Sequence, residues 1–135
     1  MKTLENDIIK FWIEDGILYS VFKKPVEGTL ENIKEGINLR HQISNNQKQY
    51  WCCDFKGIKP YKKDAAEYAQ TYGQDFLYAA AGIVSSHLSY FFVRVFQKIK
   101  KTDLPFQIFK NKEDALIWLK EIKQKNELNG INNKV

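Results

Sequence analysis

Apolar positions recur along this chain in two rhythms. Residues 8–13, 17–22 (ILYSVF), 48–55 (KQYWCCDF), 76–84 (FLYAAAGIV) and 106–109 are short runs that alternate or are continuously apolar, the signature of strands. In the second run, Ile17, Tyr19 and Val21 share one face and Leu18, Ser20 and Phe22 the other. Between the runs, apolar residues return every three or four positions, which predicts helices. The helix over 30–44 carries Leu30, Ile33 and Ile37 on one stripe, with Leu39 and Ile43 well round from it. The helix from Asp64 to Gly73 carries Ala65, Tyr68, Ala69 and Tyr72. Leu88, Phe91, Phe92, Val95 and Ile99 mark a helix over 88–101. Ala115, Trp118, Leu119 and Ile122 mark the last one. The predicted order is β-β-α-β-α-β-α-β-α: an α/β domain whose mixed sheet of about five strands opens with an antiparallel hairpin and continues with parallel strands, with four helices.

The breaks between elements have their own chemistry. Asp15-Gly16 between two apolar runs is a strong hairpin signal. Thr29 and Asn111 stand where helix N-caps are needed, with Asp114 at the third helical position of the last helix. Asp64 with Glu67 has the spacing of a capping box opening the middle helix, and Gly73 is placed to close it. Ser85 or Ser86 caps the helix over 88–101. Residues 56–63, with Gly57 and Pro60, read as a loop, and Pro25 to Gly28 as a break in the pattern. Ala79, Ala80, Ala81 and Gly82 are weak strand formers, so they read as small residues on a central strand that let helices pack close.

Composition adds bounds. A chain of 135 residues, 44% hydrophobic and 27% charged, fits a single domain with a real core. The domain spans residues 1–123, and the Asn- and Lys-rich stretch 124–135 is expected to be a frayed or disordered tail. The opening MKTLENDIIK has no apolar core region, so no signal peptide is expected. Residues 76–96 form the longest apolar window. They include Ser85, Ser86, His87, Ser89 and Arg94, a costly cluster in a bilayer, so no membrane insertion is expected. The net charge of +5 comes almost wholly from lysines spread along the chain, with Arg40 and Arg94 the two arginines. Diffuse lysine without a nucleic-acid module fits solvated faces, so no nucleic-acid partner is expected. Cys52 and Cys53 are adjacent and point to opposite faces of a strand. They read as small buried hydrophobes in a reducing cytoplasm.

Candidate chemistry is sparse. There is no G-x-S-x-G, P-loop or G-x-G-x-x-G pattern. His41 and His87 lie on predicted helices without paired ligands at metal spacing, so no metal and no cofactor are expected. His41 reads as a packed, hydrogen-bonded residue. Asp54 ends a strand and could bond the amides of the Gly57 loop as an Asx-type turn. No catalytic residue is assigned.

Three stretches carry a family resemblance: FWIEDGILYSVF at the opening hairpin, DFKGIKPYKKDAAEYA after the third strand, and FQIFKNKEDALIWL at the end. In the second, Asp54, Phe55, Gly57 and Ile58 match an Asp-aliphatic-x-Gly-aliphatic loop that leads into a helix. The pattern resembles the STAS domain, and especially the SpoIIAA-like bacterial proteins related to anti-sigma-factor antagonists, over residues 8–122. The resemblance implies a non-enzymatic regulatory domain that docks a protein partner through the loop and helix after the third strand. In that family the helix starts with an Asp-Ser-Ser-Gly-type motif whose serine is phosphorylated. Here the matching run is Lys62-Lys63-Asp64-Ala65, with no phosphoacceptor. The partner-binding residues expected on this basis are Lys56, Tyr61, Lys62, Lys63, Asp64 and Glu67. Asp64 is either an N-cap or a fixed negative charge in the serine's place.

A second reading is a small-ligand or lipid-binding module, because the SpoIIAA-like group also resembles lipid-transfer domains in topology. Its pocket would lie beside the helix over 88–101, with Ser85, Ser86, Tyr90 and Phe91 as candidates. The apolar excess of Tyr90 and Phe96 on that helix suits core packing, or a homodimer or partner patch.

Overall fold

A computed structural model describes residues 2–85 and 104–130 of the chain. In chain order the elements are β1 (Lys2–Glu5), β2 (Ile9–Glu14), β3 (Ile17–Phe22), β4 (Val26–Gly28), α1 (Leu30–Ser44), β5 (Gln49–Asp54), β6 (Ile58–Tyr61), α2 (Lys63–Tyr72), β7 (Leu77–Ile83), β8 (Phe106–Phe109) and α3 (Lys112–Leu128).

Six strands form one sheet in the order β1-β2-β3-β5-β7-β8. The first three are antiparallel, and β3, β5, β7 and β8 run parallel. The β2–β3 hairpin closes with Glu14 opposite Ile17. Asp15 and Gly16 both take positive φ, 52° and 77°, as the two-residue turn demands. Outside the main sheet, β4 and β6 make a separate two-stranded parallel pair.

The five strands expected from the pattern are all present, and three more are not in it. β1 is a polar, mostly exposed edge strand with little apolar signal. β4 and β6 fall on the segments read as a break and a loop, because Pro25, Gly28 and Pro60 are sheet breakers in a central strand. A short edge pair tolerates them. Of the four expected helices, the one over 88–101 lies outside the described residues. The last helix runs past Ile122 to Leu128.

The sheet is covered differently on its two faces. Alternation along β5 sends Cys53 to the face packed by Ile33 and Ile37 of α1 and Ala65 and Ala69 of α2. It sends Cys52 to the face packed by Ala115 and Leu119 of α3. Both cysteines are free and buried, and burial pushes the Cys52 thiol up to about 11 and the Cys53 thiol well above its ordinary range. The small residues of β7 work on both sides. Ala79 and Ala81 lie under α3. A Cβ at Gly82 would come within 2.9 Å of the Phe55 ring. Replacing that hydrogen would force the ring to move.

Three cap expectations have definite outcomes. Thr29 Oγ1 accepts from Asn32 N at 3.2 Å, and Asn111 Oδ1 accepts from Asp114 N at 2.8 Å. Gly73 is the last cap of α2 but stays right-handed, with φ −73°. Asp64 is not an N-cap. Lys62 holds that position and makes no side-chain cap bond. The helix starts early because Lys62 N donates to Gly28 O at 2.8 Å, which fixes the chain direction before Asp64 is reached. The Asp64–Glu67 capping box therefore does not form. Asp64 Oδ1 instead accepts from the adjacent Ala65 N at 2.8 Å, placing a carboxylate in the first turn, where the helix dipole favours it.

Candidate functional site

The parallel strands β3, β5, β7 and β8 all end on the same side of the molecule, and the chain between β5 and α2 lies there. In open α/β sheets that side is where ligands and partners meet the fold. The segment is built, not loose. Asp54 Oδ1 accepts from Lys56 N at 2.9 Å, the Asx turn that carries the chain out of β5. Gly57 follows with φ +97°, a conformation that side chains rarely adopt. Ile58 is buried and pairs with Val26, while Tyr61 pairs with Gly28. Gly28 cannot carry a side chain, because a Cβ would sit 2.5 Å from Pro60 O and 2.7 Å from Tyr61 Cα. The result is a rigid ledge, β4 beside β6, leading directly into the first turn of α2.

On this ledge Lys56, Lys59, Lys62, Lys63, Asp64 and Glu67 are exposed. Lys59 is paired with Glu27 at 2.7 Å, and Lys56 lies 3.7 Å from Asp54. Tyr61 turns inward: its side chain is half-buried, and burial drives its phenol well above the ordinary range. The six residues expected to bind a partner are thus brought together on one continuous stretch. Five face solvent and Tyr61 anchors the ledge. The start of α2 has no cap bond from the Lys62 side chain and carries exposed Lys62 and Lys63, while the Asp64 carboxylate takes the Ala65 amide at the positive end of the helix dipole.

Behind the ledge, α1 and α2 do not fill the space above the sheet. A half-open cavity with about 60 Å³ of room for water-sized molecules remains, walled by Phe11, Ile33, Ile37, Trp51 and Phe55 among others. Arg40 lines it. This arginine occupies the stripe of α1 between Ile37 and Ile43, where an apolar residue would be expected, and it is 1% exposed. Its Nη1 donates to Asp75 O at 2.7 Å and its Nη2 to Gly73 O at 3.3 Å. The guanidinium lies 4.9 Å from the Trp51 ring centre, and Trp51 Nε1 donates to Ser20 Oγ at 2.9 Å. Arg40 thereby ties α1 to the end of α2, where the helix dipole is negative. Burial pulls its pKa down to about 10, with Asp75 acting against that. His41, next along, meets Phe76 edge-on at 5.0 Å, and Phe76 sits at φ +60°, a strained conformation for an aromatic residue. His41 is packed as expected, yet its buried Nε2 has no hydrogen-bond partner, unlike the bonded residue anticipated.

Residues 11–123 match the family described as Domain of unknown function (DUF7793). The chain belongs to that family. A solved structure from Shewanella loihica PV-4 gives the fold its wider setting: an uncharacterised protein of the DUF3478 family with a SpoIIAA-like fold. It matches with a TM-score of 0.58 and 21% identity, over 82% of this chain and 91% of that one. At that identity the likeness is one of fold, so this DUF7793 chain has a SpoIIAA-like fold. No curated protein matches it.

Among the candidates for the small-ligand reading, Ser85 follows β7 and is half-buried. Ser86, Tyr90 and Phe91, with Phe96 of the expected dimer patch, lie outside the described residues. The described lining of the half-open cavity under α1 includes none of these four candidates, and Tyr61, expected at the partner surface, is the candidate site residue that does line it. Arg40 was legible only as one of two arginines. Its signal is its type and place: an arginine, with five donors in a fixed fork, standing in an apolar helical stripe. Among the described residues no group of three or more His, Cys, Asp or Glu gathers as a metal site, and no helix is long and apolar enough to cross a membrane.

Proposed function

We propose that this DUF7793 chain is a non-enzymatic regulatory domain that docks a protein partner on the ledge formed by residues 56–67. The observation that carries this reading is the exposed, preformed start of α2. Lys62 occupies the N-cap position without a cap bond, where Ser, Thr, Asp or Asn would stabilise the helix by about 1 kcal/mol. In place of a capping side chain, that exposed position carries a lysine beside a second one. Lys62 and Lys63 supply cations there, and Asp64 and Glu67 supply anions one helical turn apart. Such a mixed charge pattern confers selectivity for a complementary partner more than raw affinity.

The run Lys62-Lys63-Asp64-Ala65 contains no hydroxyl group. In this reading the interaction is not switched by a phosphate at that point, and Asp64 supplies a constant negative charge. The test is affinity capture from the cells that make the protein, with wild type, Asp64→Ser and Asp64→Lys as baits. A specific partner retained by wild type and lost or weakened by Asp64→Lys supports docking here. A partner retained equally by all three places the interface elsewhere.

A further inference from the structure

We propose that the turn between α2 and β7, residues 73–76, is a proton-sensitive latch that His41 opens. Three features meet at this turn. It is held from one side: the buried Arg40 of α1 donates from Nη1 to Asp75 O at 2.7 Å and from Nη2 to Gly73 O at 3.3 Å. It is strained: Phe76 closes it at φ +60°, in the left-handed region that a bulky aromatic residue avoids. It is also incompletely bonded. Among the described residues three buried side-chain atoms lack a hydrogen-bond partner, and all three belong to this junction. Gln74 Oε1 is in the turn, and Arg40 Nε and His41 Nε2 are on the two residues of α1 that meet it. Strain and missing bonds mark a segment whose local opening is cheap compared with global unfolding.

His41 is placed to control that opening. Its ring stands edge-on to Phe76 at 5.0 Å, a setting that suits a neutral imidazole. In the imidazolium both nitrogens carry protons, so the buried Nε2 becomes a charged donor without an acceptor. The charged groups acting on the ring come from both sides of the junction. Arg40, on the same helix, opposes a second cation, and Asp75, in the turn, favours it. Moving the turn away exposes the ring to water and lets Phe76 return to negative φ, so the open form takes up the proton more readily than the closed one. Opening is therefore favoured as the pH falls below the ordinary histidine value of 6.5. One proton limits the change to about tenfold per pH unit. The latch stands apart from the docking reading, because none of its residues belongs to the ledge.

Amide hydrogen exchange of the full chain at pH 7.5 and 5.5, corrected for intrinsic rates, tests the latch. Gln49 N donates to Phe76 O at 3.1 Å and Asp75 N to Tyr72 O at 3.4 Å, so these two amides report the turn. Val26 N, bonded to Gly57 O at 2.9 Å, is the control on the ledge. The expected result is a fall in protection of roughly threefold or more at Gln49 and Asp75, with Val26 unchanged. Its midpoint should coincide with the titration of the His41 ring, which His87→Gln distinguishes from the other histidine. His41→Gln should abolish the fall, and Asp75→Asn should move its midpoint to lower pH. If His41→Gln does not fold, the wild-type midpoint decides: a fall displaced from the His41 titration overturns the latch. Protection that is unchanged or higher at pH 5.5, a fall shared by Val26, or the same fall in His41→Gln would each overturn it as well.

Discussion

The two faces of the sheet solve the same packing problem in opposite ways. Under α3, Ala79, Ala81 and Ala115 are fully buried and Leu119 fills the remaining volume. Small side chains there bring helix and sheet close together, and the pocket on that side, beside Tyr19, Cys52 and Lys112, is the smaller one at about 30 Å³. Under α1 and α2, the wall is aromatic and branched, a cavity persists, and a charged residue stands where a hydrophobe would complete the stripe. The same face also carries the strained turn at Phe76 and the uncapped start of α2. Closer packing makes that face more sensitive to any change of side-chain volume. Gaps, strain and unsatisfied groups concentrate where a protein meets other molecules. Under the proposed docking reading, the α3 face serves stability and the α1–α2 face with its ledge serves recognition.

Mutations can break this contrast in order of expected size. Leu119→Ala should be the most damaging, at about 2–5 kcal/mol, because its tightly packed site cannot collapse to fill the void. Chemical denaturation measures it. On the other face, Arg40→Met should cost about 2 kcal/mol. It deletes two charge-assisted bonds to the Gly73 and Asp75 carbonyls, and the loss is partly offset by no longer burying a charge. A loss larger than that of Leu119→Ala would mean that Arg40, not the α3 core, is the main source of stability.

Two substitutions should stabilise, and both lie on the recognition side. Lys62→Ser supplies the missing cap and should gain about 1 kcal/mol, read as a rise in the denaturation midpoint. Gly36→Ala should gain roughly 0.5–1 kcal/mol, since helix propensity improves and the added methyl enters open space. If either destabilises, the ledge or the cavity is less open than the contrast requires.

The smallest effect is a pH dependence. Burial, then Arg40, holds the His41 pKa below its ordinary 6.5, with Asp75 opposing. The unfolded chain therefore takes up a proton more readily than the folded one. The contribution of neutral His41 is fully present above about 6.5 and is lost as the pH falls below that value towards the folded pKa. In His41→Gln the stability curve between pH 7 and 5 should be flatter than in wild type. Identical slopes would show that His41 is as easily protonated in the fold as outside it.

Much of the architecture is legible in the sequence. The Asp15-Gly16 hairpin, the caps at Thr29 and Asn111, and the opposed burial of Cys52 and Cys53 follow from local chemistry that the tertiary structure leaves intact. The rest depends on partners distant in the chain. β6 contains Pro60, and β4 is only three residues long, so neither announces a strand without the other. The start of α2 is shifted by a bond from Gly28, far upstream, which no local capping rule anticipates. Arg40 is a charge inside an apolar stripe, and it weakens the helical pattern that would reveal where it points. The ledge is legible because its residues are contiguous in the chain. The cavity is not, because its walls come from β2, β3, β5, β6, α1 and α2 together.

The division of labour is tested most directly by reversing charge on each face in turn and measuring capture of the protein's partner from its own cells. Lys62→Glu with Lys63→Glu alters the ledge, and Lys120→Glu with Lys125→Glu makes the same change on the exposed side of α3. Partner retention lost in the ledge variant and kept in the α3 variant is the predicted result. Retention kept in the ledge variant and lost in the α3 variant, with both proteins folded, would contradict it.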